Sequence, residues 1–292
     1  MAPGVGFEPT RPIRVTDLAG ATRGVNGKDL EAYGEFLRVD LQLDPKSVKA
    51  YKSIAREFLR HLGDRPISAE VVREYLKGFL DSSTATYANR IKGLRHYLRD
   101  WLGLKELAEQ FRFPMQSWSP PEAPKREELQ TFYQHLPTLE AKAAFLLWAS
   151  TGKRRHEIIE LTRDQIDLEN RLIAPSKRDS KTKREWWGVF NEECRKVLSQ
   201  YLSEARGSRL FSEKRVRVAF EEAREKSGVK ITPKRLRDFF CQAMGELGVP
   251  DRYVDAFCGR TPKTVLARHY TDYSPDRLKR VYDQVGLKVL SE

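Results

Sequence analysis

Thr151-Gly152-Lys153-Arg154-Arg155-His156-Glu157-Ile158-Ile159-Glu160-Leu161-Thr162 is the stretch on which the reading of this chain turns. A Thr-Gly turn opens a helix, and Arg154 and Glu157 fall three apart on one of its faces. A carboxylate at that spacing can hold a guanidinium rigid, although an ordinary surface ion pair has the same spacing. Downstream, Thr232-Pro233-Lys234-Arg235-Leu236-Arg237-Asp238-Phe239-Phe240 predicts a helix capped by Thr232 and starting at Pro233. Lys234 and Arg237 then share a face, and Leu236, Phe239 and Phe240 supply the buried one. Two cations in the first turns oppose the helix dipole unless an anion such as phosphate sits there; a solvated basic face is the plainer alternative. A third segment, Cys258-Gly259-Arg260 through Tyr270 to Tyr273-Ser274-Pro275, reads as a short capped helix ending in an aromatic.

Around these clusters the pattern is mostly helical. Helices are predicted over 125–136 and 139–150, with further starts at Thr261-Pro262 and Ser274-Pro275. A small antiparallel sheet is predicted from 165–168 and 171–174, turning at Glu169-Asn170, with a third strand over 185–190. Upstream, four amphipathic stripes predict a four-helix bundle over residues 27–115: Leu30, Tyr33 and Leu37; Val48, Tyr51, Phe58 and Leu62; Val72, Tyr75, Leu76 and Phe79; Tyr87, Ile91, Leu94, Leu98 and Trp101. Pro120, Pro121 and Pro124 mark an extended linker at 116–124 between this bundle and the 125–292 domain. Residues 1–26 are rich in Gly, Pro, Arg and Thr without periodicity and read as a disordered tail. The fold class is therefore mainly α, with one small sheet in the second domain.

The 292 residues carry a formal net charge of +12, which suggests a polyanionic partner or simply a basic cytosolic protein. Both halves are basic: 16 basic against 13 acidic side chains over 27–115, and 34 against 26 beyond. No apolar run is long enough to span a membrane, and no apolar signal core is seen, so a cytoplasmic location is expected. Cys194, Cys241 and Cys258 fit neither a disulfide framework nor a CxxC site, and the five histidines show no HExxH pairing. A metal or other cofactor is not expected.

In this order the three clusters resemble the tyrosine recombinase (phage integrase) family. Arg154 and Glu157 match its first box, Lys181 in Ser180-Lys181-Thr182-Lys183 its hairpin lysine, Lys234-Arg235-Leu236-Arg237 its second box, and Tyr270 its nucleophile. Lys183 and Tyr273 are the alternatives for the last lysine and the tyrosine. Two departures stand out: Lys234 replaces the usual His, and Arg260 the usual His or Trp. Lysine in the second box is familiar from archaeal virus and plasmid integrases.

The resemblance implies a DNA strand-cleaving and religating enzyme. Arg154 and Arg237 would clamp a phosphodiester bidentately, with Arg260 as a third donor and no metal required. Tyr270 would attack phosphorus, and Lys181 would protonate the leaving 5′ oxygen. Lys234 would stabilise developing charge, and Glu157 would hold Arg154. The N-terminal bundle would be a core-binding domain, the two domains would encircle double-stranded DNA, and four protomers would assemble on two duplexes. The final helix would dock on a neighbour. A chromosome-dimer-resolving recombinase and a non-cleaving DNA-binding protein of the same fold are the competing readings. Finally, the codons for Gly6-Phe7-Glu8-Pro9 include GGTTCGAACC, a transfer-RNA T-arm core, so the tail is expected to be a translated attachment site at a tRNA gene.

Overall fold

The computed structural model describes residues 27–115, 119–120, 122–176 and 185–291. The 1–26 tail, Lys181, Lys183 and much of the 116–124 linker lie outside the described residues. Between Ser119 and Pro120 the chain divides into two compact units.

The first unit is built from α1 (Gly27–Val39), α2 (Pro45–Leu62), α3 (Ala69–Lys77), α4 (Thr84–Arg95) and α5 (Lys105–Glu109). Its helix starts follow from short polar residues that satisfy otherwise free amides. Asp44 accepts from the Lys46 and Ser47 amides at 3.0 and 3.1 Å, Ser68 caps α3 and Ser83 caps α4. The four sequence stripes converge on one core in which Tyr33, Leu37, Phe58 and Val72 are fully buried. Each such side chain contributes about 1.5–3 kcal/mol by leaving water. Two features modify the four-helix pattern. A wide π-helical turn, His96–Trp101, continues α4 and brings Tyr97 edge-on to Tyr33 at 5.1 Å. The short α5 closes the bundle through buried Ala108.

The second unit contains α6 (Arg126–Gln134), α7 (Leu139–Thr151), α8 (Arg155–Ile159), α9 (Glu192–Glu204), α10 (Glu213–Ser227), α11 (Pro233–Glu246), α12 (Asp251–Phe257), α13 (Val265–His269) and α14 (Pro275–Val285). Every residue of α7 from Ala141 to Thr151 is buried except Lys142, so this helix is the axis of the unit. Strands β1 (Ile166–Asp167), β2 (Leu172–Ile173) and β3 (Gly188–Val189) form one antiparallel sheet in sequence order. Ile166 pairs with Ile173, and Ile173 with Gly188. The architecture is mainly helical with one small antiparallel sheet, as the sequence pattern predicts. Among the described residues no helix is long and apolar enough to cross a membrane.

Several local expectations are corrected. The strands are two residues each, and a 3₁₀ turn over residues 163–165 delays the start of β1 to Ile166. The β1–β2 connection is longer than the Glu169-Asn170 turn, and Asp167 accepts from the Asn170 amide while Arg171 takes φ +58°. The helix expected at Thr261-Pro262 starts at Val265 instead, since Thr264 supplies the cap to the Ala267 amide. Helix α14, by contrast, starts at Ser274-Pro275 as expected, and its apolar face packs on its own unit. Leu278, Val281 and Tyr282 are buried, and Tyr282 Oη donates to the Ser150 carbonyl at 2.7 Å.

Candidate active site

Helix α7 ends at Gly152, which takes φ +65° and donates its amide to the Trp148 carbonyl. A side chain there would be strained, and a Cβ would also come within 2.4 Å of the Phe240 ring. This sharp exit places Arg154 at the N-cap of α8, one residue before the helix rather than inside it. The pairing with Glu157 still forms: Glu157 Oε2 accepts the Arg154 backbone N–H at 2.6 Å and Oε1 the guanidinium at 2.8 Å. Burial alone would raise the Glu157 carboxyl. The bond from the Arg154 amide, with Lys153 and the Arg154 guanidinium, outweighs it and holds the carboxyl below its ordinary value.

The second Arg154 nitrogen donates to the Gly259 carbonyl at 2.8 Å. Arg237, one turn into α11, donates to the carbonyls of Gly152 at 2.8 Å and Cys258 at 2.7 Å. The two guanidiniums are thus braced on neighbouring carbonyls of the 258–259 turn, and Arg237 also returns to the residue that launches Arg154. Arg237 spends two of its five N–H groups on carbonyls, and Arg154 one on a carbonyl and one on Glu157, leaving donors for an anion. Arg260 follows in the same turn, half-exposed and paired with Asp255 at 2.6 Å. That hydrogen bond raises its already high pKa, so it stays a cation.

Not every candidate joins this cluster. Lys234 is exposed and lines a cleft of about 410 Å³ together with Arg155, Trp148, Ile159 and Phe220. Arg155 makes a surface ion pair with Glu213. Tyr270, at the C-terminal end of α13, is 77% exposed, and among the described residues no hydrogen bond ties its phenol to the arginines. Tyr273 is engaged instead: its hydroxyl donates to the Ala267 carbonyl at 2.8 Å, and its ring lies 4.7 Å from Trp186 and 6.2 Å from Tyr253. Burial raises its pKa. Of the two tyrosines, only Tyr270 presents a free phenol.

One contributor escaped the sequence reading. Lys153 is 2% exposed, its ammonium 3.1 Å from Glu185 Oε1 and 3.2 Å from the Trp186 carbonyl. The other Glu185 oxygen accepts from the Ser176 amide at 2.9 Å and from its hydroxyl. Glu185 thus joins the two ends of the segment that carries Lys181 by bonding Ser176, and Lys153 holds Glu185 in place. Its place between Gly152 and Arg154 was the available signal, but a lysine among basic neighbours reads as solvated. The cysteine spacing was equally silent: Cys241 and Cys258 lie with their sulfurs 3.2 Å apart, beside Arg237 and Arg260.

Residues 125–277 match the phage integrase family. Tyrosine recombinase XerA of Thermococcus kodakarensis is 25% identical over 263 residues, covering 83% of this chain and 90% of that protein. Tyrosine recombinase XerC of Lactobacillus leichmannii is 24% identical over 292 residues, covering 87% and 97%. Among solved structures, lambda integrase bound to DNA superposes with a TM-score of 0.65 at 17% identity, covering 85% of this chain and 94% of that one, a likeness of fold. With its family match spanning more than half its length, this chain belongs to the phage integrase family of tyrosine recombinases.

Proposed function

We propose that this protein is a site-specific DNA recombinase that integrates or excises a mobile element through a 3′-phosphotyrosyl intermediate. The observation that carries the reading is the pair Arg154 and Arg237, braced on the carbonyls of one turn with donors left for a phosphate, in a chain whose Tyr270 phenol is exposed and free. A phosphodiester entering the turn would meet guanidinium donors already fixed in place, which stabilise charge developing on the non-bridging oxygens without reorganisation. The Tyr270 oxygen attacks phosphorus, the bond to the 5′ oxygen breaks, and Lys181 supplies the proton to that oxygen; the reverse sequence religates. Arg260 adds a third donor and Glu157 holds Arg154. Lys234 at the mouth of its cleft contributes charge to the bound DNA backbone. Because Tyr270 is not bonded to the arginines in the free chain, DNA binding must bring α13 to them.

The first unit would serve as the core-binding domain, and double-stranded DNA as the substrate of a homo-tetramer, in keeping with the lambda integrase tetramer bound to a Holliday junction. The attachment site we infer is the tRNA-arm sequence in the codons of Gly6–Pro9. A second reading, chromosome-dimer resolution, is favoured by the near full-length likeness to XerA and XerC.

Covalent trapping tests the proposal. The wild-type protein on supercoiled DNA carrying the tRNA-arm sequence, quenched with detergent, should give a 3′-phosphate adduct that Tyr270→Phe does not. An adduct with both proteins would move the nucleophile to another tyrosine. Adduct formation on a chromosomal site but not on the tRNA-arm sequence would favour the second reading, and salt-sensitive binding without any adduct would leave a DNA-binding protein alone.

A further inference from the structure

The geometry points to Cys241 and Cys258 as an oxidation site: a thiol pair that peroxide converts to a disulfide, shifting the turn that braces the arginines and shutting down strand cleavage. The functional half of this inference rests on the recombinase reading; the chemical half does not.

The two sulfurs belong to different elements, Cys241 to α11 and Cys258 to the end of α12, yet lie 3.2 Å apart. Cys241 is partly exposed and Cys258 fully buried, so a small oxidant meets Cys241 first. The Cys258 thiol, hydrogen-bonded to Cys241, and the charges of Arg260 and Arg237 draw the Cys241 thiol down, while the same contact and burial push Cys258 up. The pair thus contains one thiol disposed to ionise and one to remain protonated. The third cysteine, Cys194, is buried elsewhere and pushed up by burial, which makes it an internal control.

The chemistry balances with hydrogen peroxide as the oxidant. The Cys241 thiolate attacks one peroxide oxygen, the O–O bond breaks, and the departing hydroxide takes up a proton as water, leaving a sulfenic acid. The Cys258 sulfur then attacks the Cys241 sulfur, the S–O bond breaks, and the second water leaves with the Cys258 proton. A dithiol reductant reverses the outcome.

The consequence for the site follows from position. A disulfide needs the sulfurs at about 2.05 Å, so the present 3.2 Å separation must close by roughly 1.1 Å. Cys258 is the residue whose carbonyl holds Arg237, and its neighbour Gly259 holds Arg154. Cys258 is itself fully buried, at the end of α12 that leads into this turn. A shift of about 1 Å in a catalytic array costs on the order of 100-fold in rate.

The test treats the full chain with stoichiometric hydrogen peroxide, maps peptides after alkylation, and measures phosphotyrosyl adduct before and after dithiothreitol. A Cys241–Cys258 linked peptide with Cys194 still alkylated is expected, with adduct yield falling about 100-fold and returning on reduction. Cys241→Ser should keep its adduct yield in peroxide. Absence of the linked peptide overturns the oxidation site. A linked peptide with undiminished adduct, or Cys241→Ser losing adduct as wild type does, overturns the coupling to the arginines. A reduced protein that forms no adduct counts against the recombinase reading, and the peptide map then decides the thiol chemistry by itself.

Discussion

Replacing Lys153 with Met should unfold the second unit far more readily than its position in a basic motif suggests. The side chain is 2% exposed and its partner Glu185 7% exposed, so solvent screens their interaction little. Methionine matches the lysine stem in volume, which keeps the packing against Gly188, where a Cβ would come within 2.6 Å of Lys153 Cε. The loss is therefore electrostatic. Glu185 keeps its bonds from Ser176 but faces no cation among the described residues, and the Trp186 carbonyl loses a donor. Stranding one member of a buried ion pair costs about 3–5 kcal/mol. With a urea m-value of about 2 kcal/mol/M, the midpoint should fall by roughly 1.5–2.5 M. Urea titration followed by tryptophan fluorescence reads this, because Trp148, Trp186 and Trp187 all lie in the second unit. The double variant Lys153→Met/Glu185→Gln removes the stranded charge as well and should recover at least about 1.5 kcal/mol of the loss, a coupling of the size expected for directly interacting groups. If Lys153→Met unfolds within about 1 kcal/mol of wild type, or if the two substitutions simply add, the clasp is not a structural element and the argument fails.

Three further outcomes are expected. Arg237→Lys, which cannot span the Gly152 and Cys258 carbonyls and still offer a fork to phosphate, should lower single-turnover cleavage by about 10²–10³-fold with DNA affinity changed less than tenfold. Tyr273→Phe should retain adduct within about threefold of wild type, whereas Tyr273→Ala, which removes the ring packed on Trp186 and Tyr253, should lower it at least tenfold; equal loss in both would make the Tyr273 hydroxyl a participant. Glu157 is held below its ordinary pKa in the folded chain, so its stabilisation is full above the unfolded value of about 4.3 and disappears as acid takes the pH down through the lower native value. Glu157→Gln should therefore lose stability above that range and show a flatter acid limb in urea midpoints measured from pH 6 down to pH 2.5.

What the sequence disclosed and what it hid divide along a physical line. Arg154 with Glu157, and the Thr232-Pro233 and Ser274-Pro275 helix starts, were legible because their partners lie within a few residues, where spacing alone fixes geometry. The core stripes of α1 to α4 were legible for the same reason, since a buried face repeats with the helix. The short α5 falls below the length at which periodicity carries information, and two candidate threonines stood before α13, of which Thr264 has the geometry to reach the Ala267 amide. The strands proved shorter than their apolar patterns because Asp167 and Arg171 divert the chain into a longer turn.

The candidate site shows the same line more sharply. The side chains proposed for catalysis were named by type and order, but the parts that brace Arg154 and Arg237 are largely backbone carbonyls, and a carbonyl has no sequence signature. Nothing in Cys258-Gly259 announces that these two oxygens hold Arg237 and Arg154, residues 21 and 105 positions away. Nor does Lys153 differ in sequence from the arginines that follow it, although it alone of the three is buried. Substitutions at Cys258 and Gly259 should therefore disturb the site through backbone position, by moving the carbonyls that hold Arg237 and Arg154. Lys153 should tolerate only a residue that leaves Glu185 partnered. The clasp and the thiol pair, like the carbonyl braces, join residues far apart in sequence and follow from the packing of the second unit.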